Sequence, residues 1–380
     1  MKAIIVDDEK LALDFLESQI KKVSNIAILG KFQYFDIEEN LSLIREANIV
    51  FLDIEMPEIN GLELAEKILE VNQDLTVIFV TAFTEYAVEA FEINALDYIV
   101  KPVNQDRLKK TLERIESSLA NQPQKTFSDE SALHLKVCKE LSFELGDKNS
   151  EVIQWRTSKA KEAFLYLLLH YGKTVRKSEL IDLLWEDFEL DKAYSQLYTT
   201  IYHIRNTLKH FRNHFSIESV PDGYILKVSN LLIDTVEWEE RLKKMPIIDM
   251  DTIEKHEENM KLYSGGYLEN EDYLWADSER YRLERLWIRT AHEIAKFYHN
   301  NEDIEKAESW YIKICNYISE DEKAHFSLMK IYEKLGYGLL VDHQYSQLEQ
   351  TLNDLDIQIS PNIQAWYQKK RNKKSSLEID

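Results

Sequence analysis

The chain has 380 residues, of which 44% are hydrophobic and 30% charged, and its formal net charge is -21. This length exceeds one typical core and predicts two or three globular domains. No apolar run approaches the roughly 20 residues that span a bilayer, and acidic residues occupy positions 7–9, so we expect a cytoplasmic protein without a membrane segment. The two cysteines lie far apart, which favours free thiols over a disulfide or a metal site.

The first 120 residues alternate between strand and helix patterns. Strand patterns lie near 3–7, 26–31, 48–53, 76–81 and 97–100, and amphipathic helix patterns lie near 10–22, 36–46, 61–72, 84–94 and 104–119. Strict alternation predicts a flavodoxin-like, doubly wound α/β domain, with a parallel sheet covered by helices on both faces. In such domains ligands bind at the carboxyl ends of the strands.

Polar residues follow four of these strands at that edge. Asp7 and Asp8 leave the first strand, Asp53 follows the apolar run at 49–52, and Thr81 and Lys101 end two later strands. Clustered carboxylates form the oxygen-rich site that Mg²⁺ prefers. Asp53 can then attack a phosphoryl donor while the ammonium and the hydroxyl hold phosphoryl oxygens. Each residue alone is more often a solvated turn or strand residue, but their joint occurrence favours a phosphoryl site.

These motifs resemble the receiver domain of two-component response regulators over residues 1–119, and no motif position departs from the pattern. The resemblance implies that a sensor histidine kinase phosphorylates Asp53 and that the domain has no enzymatic output of its own. It also implies a Mg²⁺ ion held by Asp8, Asp53 and the main-chain carbonyl of Glu55, with Asp7 contributing through water.

The same resemblance implies a conformational switch. Thr81 would move toward the phosphoryl group while the aromatic ring of Tyr98 turns inward. This would change the face formed by the fourth helix, the fifth strand and the fifth helix, roughly residues 84–119. A half-buried strand aromatic is the alternative reading of Tyr98.

A polar, proline-interrupted stretch at 120–130 has the composition of a linker. Strand patterns follow near 133–137, 141–145 and 152–155, with turn-forming residues at 146–149. Helical patterns lie at 158–171, 177–184 and 194–210, and a β-hairpin with a Pro-Asp-Gly turn is expected at 216–228. A helix followed by such a hairpin predicts a helix-turn-helix with a wing.

The helix at 194–210 carries the candidate DNA surface. No acidic residue occurs from Lys192 through His214, although 68 of the 380 residues are acidic. Its apolar stripe consists of Leu197, Ile201, Ile204 and Leu208. The candidate DNA-contacting residues are Ser195, Gln196, Thr199, Tyr202, His203, Arg205, Asn206 and Lys209. Such side chains can hydrogen-bond base edges and phosphates in a major groove. An acid-free polar face is also common on solvated helices, so the pattern alone leaves the function open.

Residues 131–230 resemble the winged-helix domain of response regulators in the variant carried by SARP-type regulators. The resemblance makes 197–208 the recognition helix and 221–224 the wing. His203 stands where the family usually has a second arginine, and Asn206 replaces a commonly basic position. The segment is nearly charge-neutral, so binding to repeated half-sites as a dimer is expected to supply affinity.

Beyond residue 233 amphipathic helices dominate. Tyr298 and Tyr332 are 34 residues apart, as are Tyr311 and Tyr345, which is the period of tetratricopeptide (TPR) helix pairs. Together with motifs at 263–268 and 275–280, residues 233–370 resemble the TPR-like bacterial transcriptional activation domain, followed by a tail at 371–380. Such a domain is expected to contact a partner subunit, RNA polymerase or the receiver.

The sequence therefore predicts a multidomain response regulator in which phosphorylation of Asp53 promotes homodimerisation, binding to promoter DNA and control of transcription. The alternative is a phosphorylation-controlled adaptor that acts through protein partners of the helical domain without binding DNA. A phosphorelay intermediate would leave the two C-terminal domains unexplained. Nothing in the sequence matches a catalytic triad, a zinc site or a nucleotide-binding glycine loop, so we expect no enzyme activity.

Overall fold

The computed structural model describes residues 1–57, 59–72, 74–82, 98–120, 132–145, 148–151 and 153–377. The chain divides into two compact units. One comprises Met1–Leu133 and Leu145–Leu231, and the other comprises His134–Glu144 and Leu232–Asp380. Among the helices described, each is too short or too polar to cross a bilayer.

A five-stranded parallel sheet lies at the start of the first unit, with strand order β2-β1-β3-β4-β5. Its strands are β1 (Lys2–Val6), β2 (Ala27–Phe32), β3 (Ile49–Leu52), β4 (Thr76–Thr81) and β5 (Tyr98–Val100). The accompanying helices are α1 (Lys10–Val23), α2 (Leu41–Glu46), α3 (Gly61–Val71) and α4 (Gln105–Ala120). The predicted parallel α/β sheet is confirmed, and the strand order reverses between β1 and β3, where such folds place their ligand crevice.

The strands are continuous apolar runs because both faces of the sheet are buried. All four residues of β3 are fully buried, and alternate strand residues enter separate core clusters on the two faces of the sheet. The predicted helix at 36–46 begins only at Leu41. The Glu39 amide donates to the Asp36 carboxylate and the Asn40 side chain donates to the Asp36 carbonyl, which favours a turn before the helix. The predicted helix at 84–94 lies outside the described residues.

Two small sheets and three helices follow. The strands are β6 (Leu133–Lys136), β7 (Ser142–Leu145), β8 (Lys148–Glu151), β9 (Thr174–Arg176), β10 (Phe215–Val220), β11 (Gly223–Val228) and β12 (Leu231–Ile233). Their sheet orders are β10-β11-β9 and β12-β6-β7-β8. The helices are α5 (Ser158–Leu169), α6 (Lys177–Trp185) and α7 (Leu190–Thr207), and a 3₁₀ turn at Leu208–Phe211 continues α7.

The predicted hairpin is present, with Val220 paired to Gly223 across the turn. A Cβ atom on Gly223 would lie 2.1 Å from the carbonyl oxygen of Val175, so only glycine lets β9 approach this closely. The strand predicted at 152–155 was wrong: the structure places it at Lys148–Glu151, where turn-forming residues were expected. The predicted linker at 120–130 is described only at Ala120, where α4 ends.

The second unit is mostly helical. Its helices are α8 (Asp234–Lys244), α9 (Ile253–Met260), α10 (Asp277–Asn300), α11 (Ile304–Tyr317), α12 (Glu322–Lys334), α13 (Gly338–Asp354) and α14 (Pro361–Leu377), with a short 3₁₀ turn at Leu274–Ala276. Consecutive helices from α10 to α13 pack against one another. The tyrosines with the 34-residue period, Tyr298, Tyr311, Tyr332 and Tyr345, are all buried.

Candidate phosphoryl site and the helix α7 surface

Three carboxylates meet at the carboxyl edge of the parallel sheet. Oxygen atoms of Asp7, Asp8 and Asp53 lie within 4.8 Å of one another. The Asp53 amide donates to the Val6 carbonyl (3.0 Å), which holds the chain after β3 against the end of β1. Asp7 and Asp53 are buried and Asp8 is half-buried. Burial raises the pKa of Asp7, although hydrogen bonds from Lys101 and from the Glu9 amide oppose the rise.

Lys101 supplies the positive charge of this cluster. Its Nζ lies 2.6 Å from Oδ2 of Asp53 and 2.7 Å from Oδ2 of Asp7. Burial alone would lower its pKa, but hydrogen bonds to these two carboxylates raise it. The Lys101 amide donates to the Thr81 carbonyl (2.8 Å), and the Lys101–Pro102 peptide bond is cis. A fixed ammonium between two carboxylates suits an incoming phosphoryl oxygen.

The other predicted receiver residues are Thr81, Glu55 and Tyr98. Thr81 is fully buried at the end of β4. Glu55 is exposed in the loop between β3 and α3, two residues after Asp53. Tyr98 begins β5, and its side chain lies outside the described part of the structure, as do residues 84–97 of the predicted switch face.

Helix α3 starts directly against the backbone of Asp53. A Cβ atom on Gly61 would lie 1.8 Å from the carbonyl oxygen of Asp53, so glycine is required at this contact. The Gly61 amide donates to the Ile54 carbonyl (2.8 Å), and the Asn60 side chain caps the helix by accepting from the Leu62 amide (2.8 Å). The sequence prediction did not identify Gly61, and a glycine at the first position of a predicted helix was the available signal.

The predicted DNA-contacting residues lie on α7 and the 3₁₀ turn that follows it. Every residue from Ala193 through Lys209 is buried or half-buried. Ser195, Tyr202 and His203 are buried, and Gln196, Thr199, Arg205, Asn206 and Lys209 are half-buried. Burial, reinforced by the charge of Arg156, lowers the pKa of His203 to about 3, so its ring is neutral here. The structure brings these residues together on α7 and the turn that continues it but does not expose them.

Helix α3 covers part of α7. Tyr198 and Tyr202 belong to the same core cluster as Leu62, Ala65 and Leu69 of α3, and Tyr194 packs at its margin. These tyrosines recur every fourth residue and so share one face of α7. Helix α3 also contacts β10 of the hairpin. We refer to Tyr194, Tyr198 and Tyr202 as the tyrosine stripe. The sequence prediction assigned Tyr202 to DNA contact and did not identify the tyrosine stripe, because tyrosines also suit a solvated face.

Comparisons with known proteins place the first part of the chain in a family. The response regulator receiver domain model matches residues 3–113. Transcriptional regulatory protein LytR of Staphylococcus aureus is 32% identical over 150 residues, which cover 39% of this chain and 60% of that protein. Sensory transduction protein LytT of Bacillus anthracis is 33% identical over 122 residues, which cover 32% of this chain and 50% of that protein. The chain thus spans 60% and 50% of the lengths of these two relatives.

A solved structure is similar to the same segment. The response regulatory domain of protein mrkE from Klebsiella pneumoniae is 36% identical and matches with a TM-score of 0.28, covering 32% of this chain and all of that one. The cluster of Asp7, Asp8 and Asp53 is typical of the Mg²⁺ site of receiver domains. Residues 3–113 therefore match the receiver domain of response regulators, a non-enzymatic signalling module. The chain continues into small sheets and a mostly helical C-terminal region.

Proposed function

We propose that phosphorylation of Asp53 by a histidine kinase controls binding of this chain to promoter DNA. The observation that carries the proposal is the position of the Lys101 ammonium, 2.6 Å from Oδ2 of Asp53, inside a cluster of three carboxylates. This arrangement supplies a nucleophilic oxygen, a cation for the phosphoryl group and oxygen ligands for a metal in one place.

The roles of the residues follow from their chemistry. The Asp53 carboxylate attacks the phosphorus of the donor in line with the leaving group, and Lys101 neutralises a phosphoryl oxygen. Asp7, Asp8, Asp53 and the main-chain carbonyl of Glu55 would hold Mg²⁺, which fits a set made only of oxygen donors. When bound, the ion neutralises negative charge on the phosphoryl group. Thr81 and Tyr98 act as the switch residues.

We assign DNA binding to residues 131–230 as a winged helix-turn-helix. The packing of α5, α6 and α7 and the hairpin of β10 and β11 support this assignment. Helix α7 would enter the major groove, and the hairpin would serve as the wing. The names of the relatives, which describe transcriptional regulation, also support the proposal.

For the helical region at 233–370 we propose a TPR-like activation domain. Stacked helix pairs with buried tyrosines at the 34-residue period support this assignment. The domain would contact RNA polymerase or a second copy of the chain, and phosphorylation would favour the homodimer on repeated DNA half-sites.

The test is selection from fragmented genomic DNA by the purified full chain, with and without acetyl phosphate and Mg²⁺, followed by sequencing. Asp53→Ala removes the acceptor and serves as the matched control. We expect a repeated motif whose recovery rises on phosphorylation of the wild type and is unchanged in the variant. Equal enrichment in both proteins would contradict control through Asp53.

The burial of α7 favours a second candidate function. Because Ala193 through Lys209 present no fully exposed residue, the winged region could instead serve as a fixed platform in an adaptor. In that case phosphorylation would change which proteins bind residues 233–370. A steep fall in duplex affinity with rising salt would argue for DNA binding, since phosphate contacts release counterions. Absence of duplex binding in every phosphorylation state would argue for the adaptor.

A further inference from the structure

Helix α3 and the residues after it carry a row of carboxylates. Glu66, Glu70 and Asp74 are spaced four residues apart, which places Glu66 and Glu70 on one face of α3 and Asp74 just beyond its end. Glu66 is buried, Glu70 is exposed and the Asp74 side chain is 63% exposed. We refer to these three residues as the acidic row.

The acidic row meets the cations of α7 and the turn after it. Arg205 Nη2 lies 3.2 Å from Oε1 of Glu70, and its Nη1 lies 3.8 Å from Oε1 of Glu66. Lys209 Nζ lies 3.1 Å from Oδ1 of Asp74. Arg212 Nη1 lies 3.4 Å from Oδ2 of the same aspartate. Both Arg205 and Lys209 belong to the predicted DNA-contacting set.

The acidic row also binds the hairpin that would form the wing. The Tyr224 hydroxyl donates to Oε2 of Glu66 (3.0 Å), and the Ser219 amide donates to Oε1 of Glu70 (2.7 Å). The carboxylates of α3 therefore contact both parts of a winged helix that bind DNA phosphates, the helix and the wing. Main-chain amides and guanidinium groups are also the donors that hold phosphate oxygens.

We propose that the acidic row acts as an internal substitute for DNA phosphates and holds α7 in a closed state. This inference rests on the proposed DNA-binding function and names its regulation. A carboxylate accepts from Arg205 and Lys209 as a phosphate oxygen does, so the receiver and a duplex compete for the same donors. The tyrosine stripe of α7, packed on α3, adds apolar contact area to the closed state.

The contacts between the acidic row and α7 differ in strength, and the weak ones favour release of α7. The Asp74 pairs are exposed and screened by solvent, so they hold α7 only weakly. The contact of Glu66 with Arg205 lies out of solvent, where charge pairs are stronger, whereas Glu70 is exposed to solvent. Oε1 of Glu66 and Nη1 of Arg205 are each buried without a hydrogen-bond partner, so this pair is not fully satisfied in the closed state.

Helix α3 connects the phosphoryl site to the acidic row. Gly61 at the start of α3 contacts the Asp53 backbone, and Glu66 lies between one and two turns further along the same helix. A shift of the loop after β3 therefore moves the carboxylates relative to α7. Because a helix moves as a rigid element, a small displacement at Asp53 changes several charge pairs together.

The experiment uses the full chain and a random-sequence DNA duplex pool at low salt. The test variant combines Glu66→Gln, Glu70→Gln and Asp74→Asn. The control variant combines Asp14→Asn, Glu17→Gln and Glu46→Gln, which removes the same charge from carboxylates that pair with Lys31, Lys21 and Lys2. A second test variant, Glu70→Gln with Asp74→Asn, keeps the buried Glu66 in case the triple variant fails to fold.

Without phosphorylation, we expect the test variants to bind the duplex at least about tenfold more tightly than the wild type, whereas the control changes little. Each freed cation also makes the dependence of log affinity on log salt steeper by about 0.9. Hydrogen exchange of the peptides covering 190–228 should become faster in the test variants than in the wild type and the control.

Unchanged exchange in the test variants, or equal gains of affinity in the test and control variants, would overturn the proposed closed state. Faster exchange with no duplex binding by any protein, phosphorylated or not, would overturn the proposed DNA-binding function instead. In that outcome the contact between α3 and α7 would stand, and the adaptor would become the better account.

Discussion

At the scale of single residues, Lys101 supplies the positive charge at the candidate phosphoryl site. Its Nζ contacts Asp7 and Asp53 at once, and those contacts outweigh the effect of burial on its pKa. The ammonium therefore stays charged and positioned before a donor arrives. Preorganised charge of this kind lowers the barrier to phosphoryl transfer.

We predict that Lys101→Ala slows phosphorylation of Asp53 by acetyl phosphate roughly 100-fold, because the variant loses the cation that stabilises the transferred group. The measurement is the rate at which the phosphorylated mass appears in the intact protein. Lys31→Ala, which removes a lysine paired with Asp14 and Glu17 on the surface, is the control and should keep the wild-type rate. Equal rates for the two variants would argue against this role for Lys101.

Glu66 makes the stability of the first unit depend on pH. Burial raises its pKa to about 7, although Arg205, Tyr224 and Lys177 act in the opposite direction. A carboxyl group with a higher pKa when folded binds more protons in the folded state, so its contribution to stability is present at low pH and falls as pH rises from 4.5 to about 7.

We therefore predict that the free energy of unfolding of the wild type falls, relative to Glu66→Gln, between about pH 5 and about pH 8. Glutamine does not titrate in this pH range. The pH dependence of the variant's stability therefore comes from all the other titratable groups. Urea unfolding of both proteins at the two pH values gives the comparison. A difference that stays constant with pH would contradict the raised pKa of Glu66.

At the scale of elements, two faces of α7 pack against other parts of the first unit. Its apolar stripe of Leu197, Ile201 and Ile204 packs within the helical core, as the sequence predicted. Its tyrosine stripe packs on α3, which sequence reasoning did not predict. Periodicity reveals that a face is amphipathic but not which element covers it, because tyrosine suits a core, a solvated surface and a DNA contact alike.

The receiver elements were easier to predict from the sequence. Apolar runs such as 49–52 had one reasonable structure, a strand buried on both faces, and the polar residues after them marked the edge of the sheet. The shorter strands β9 and β12, with three residues each, carry too little pattern to be recognised. The contact between α3 and α7 joins residues more than 130 positions apart, and no local signal encodes such a contact.

We predict that Tyr198→Ala lowers the free energy of unfolding of the first unit by about 3 kcal/mol, because it leaves a cavity in a cluster shared by α3 and α7. Tyr34→Ala removes the same atoms from a side chain that is 61% exposed and should cost less than about 0.5 kcal/mol. Chemical denaturation of both variants checks the difference. Similar losses for both would mean that the tyrosine stripe does not pack as described.

At the scale of the whole molecule, we propose that phosphorylation of Asp53 changes the surface that would bind DNA. The phosphoryl site and α7 lie in the same compact unit, and α3 contacts both of them. In the proposed mechanism, phosphorylation would need to shift only one helix to alter the pairs that hold Arg205 and Lys209. A population shift between the proposed closed and open states would then control DNA binding without any change of fold.

The most direct test of this claim is the affinity of the full chain for a DNA motif recovered from genomic selection, measured at one salt concentration as the phosphorylated fraction of Asp53 is raised. We predict that affinity rises with that fraction in the wild type and stays at the unphosphorylated value in Asp53→Asn. An affinity that does not change with phosphorylation, in a wild-type protein shown by mass to carry the phosphoryl group, would contradict it.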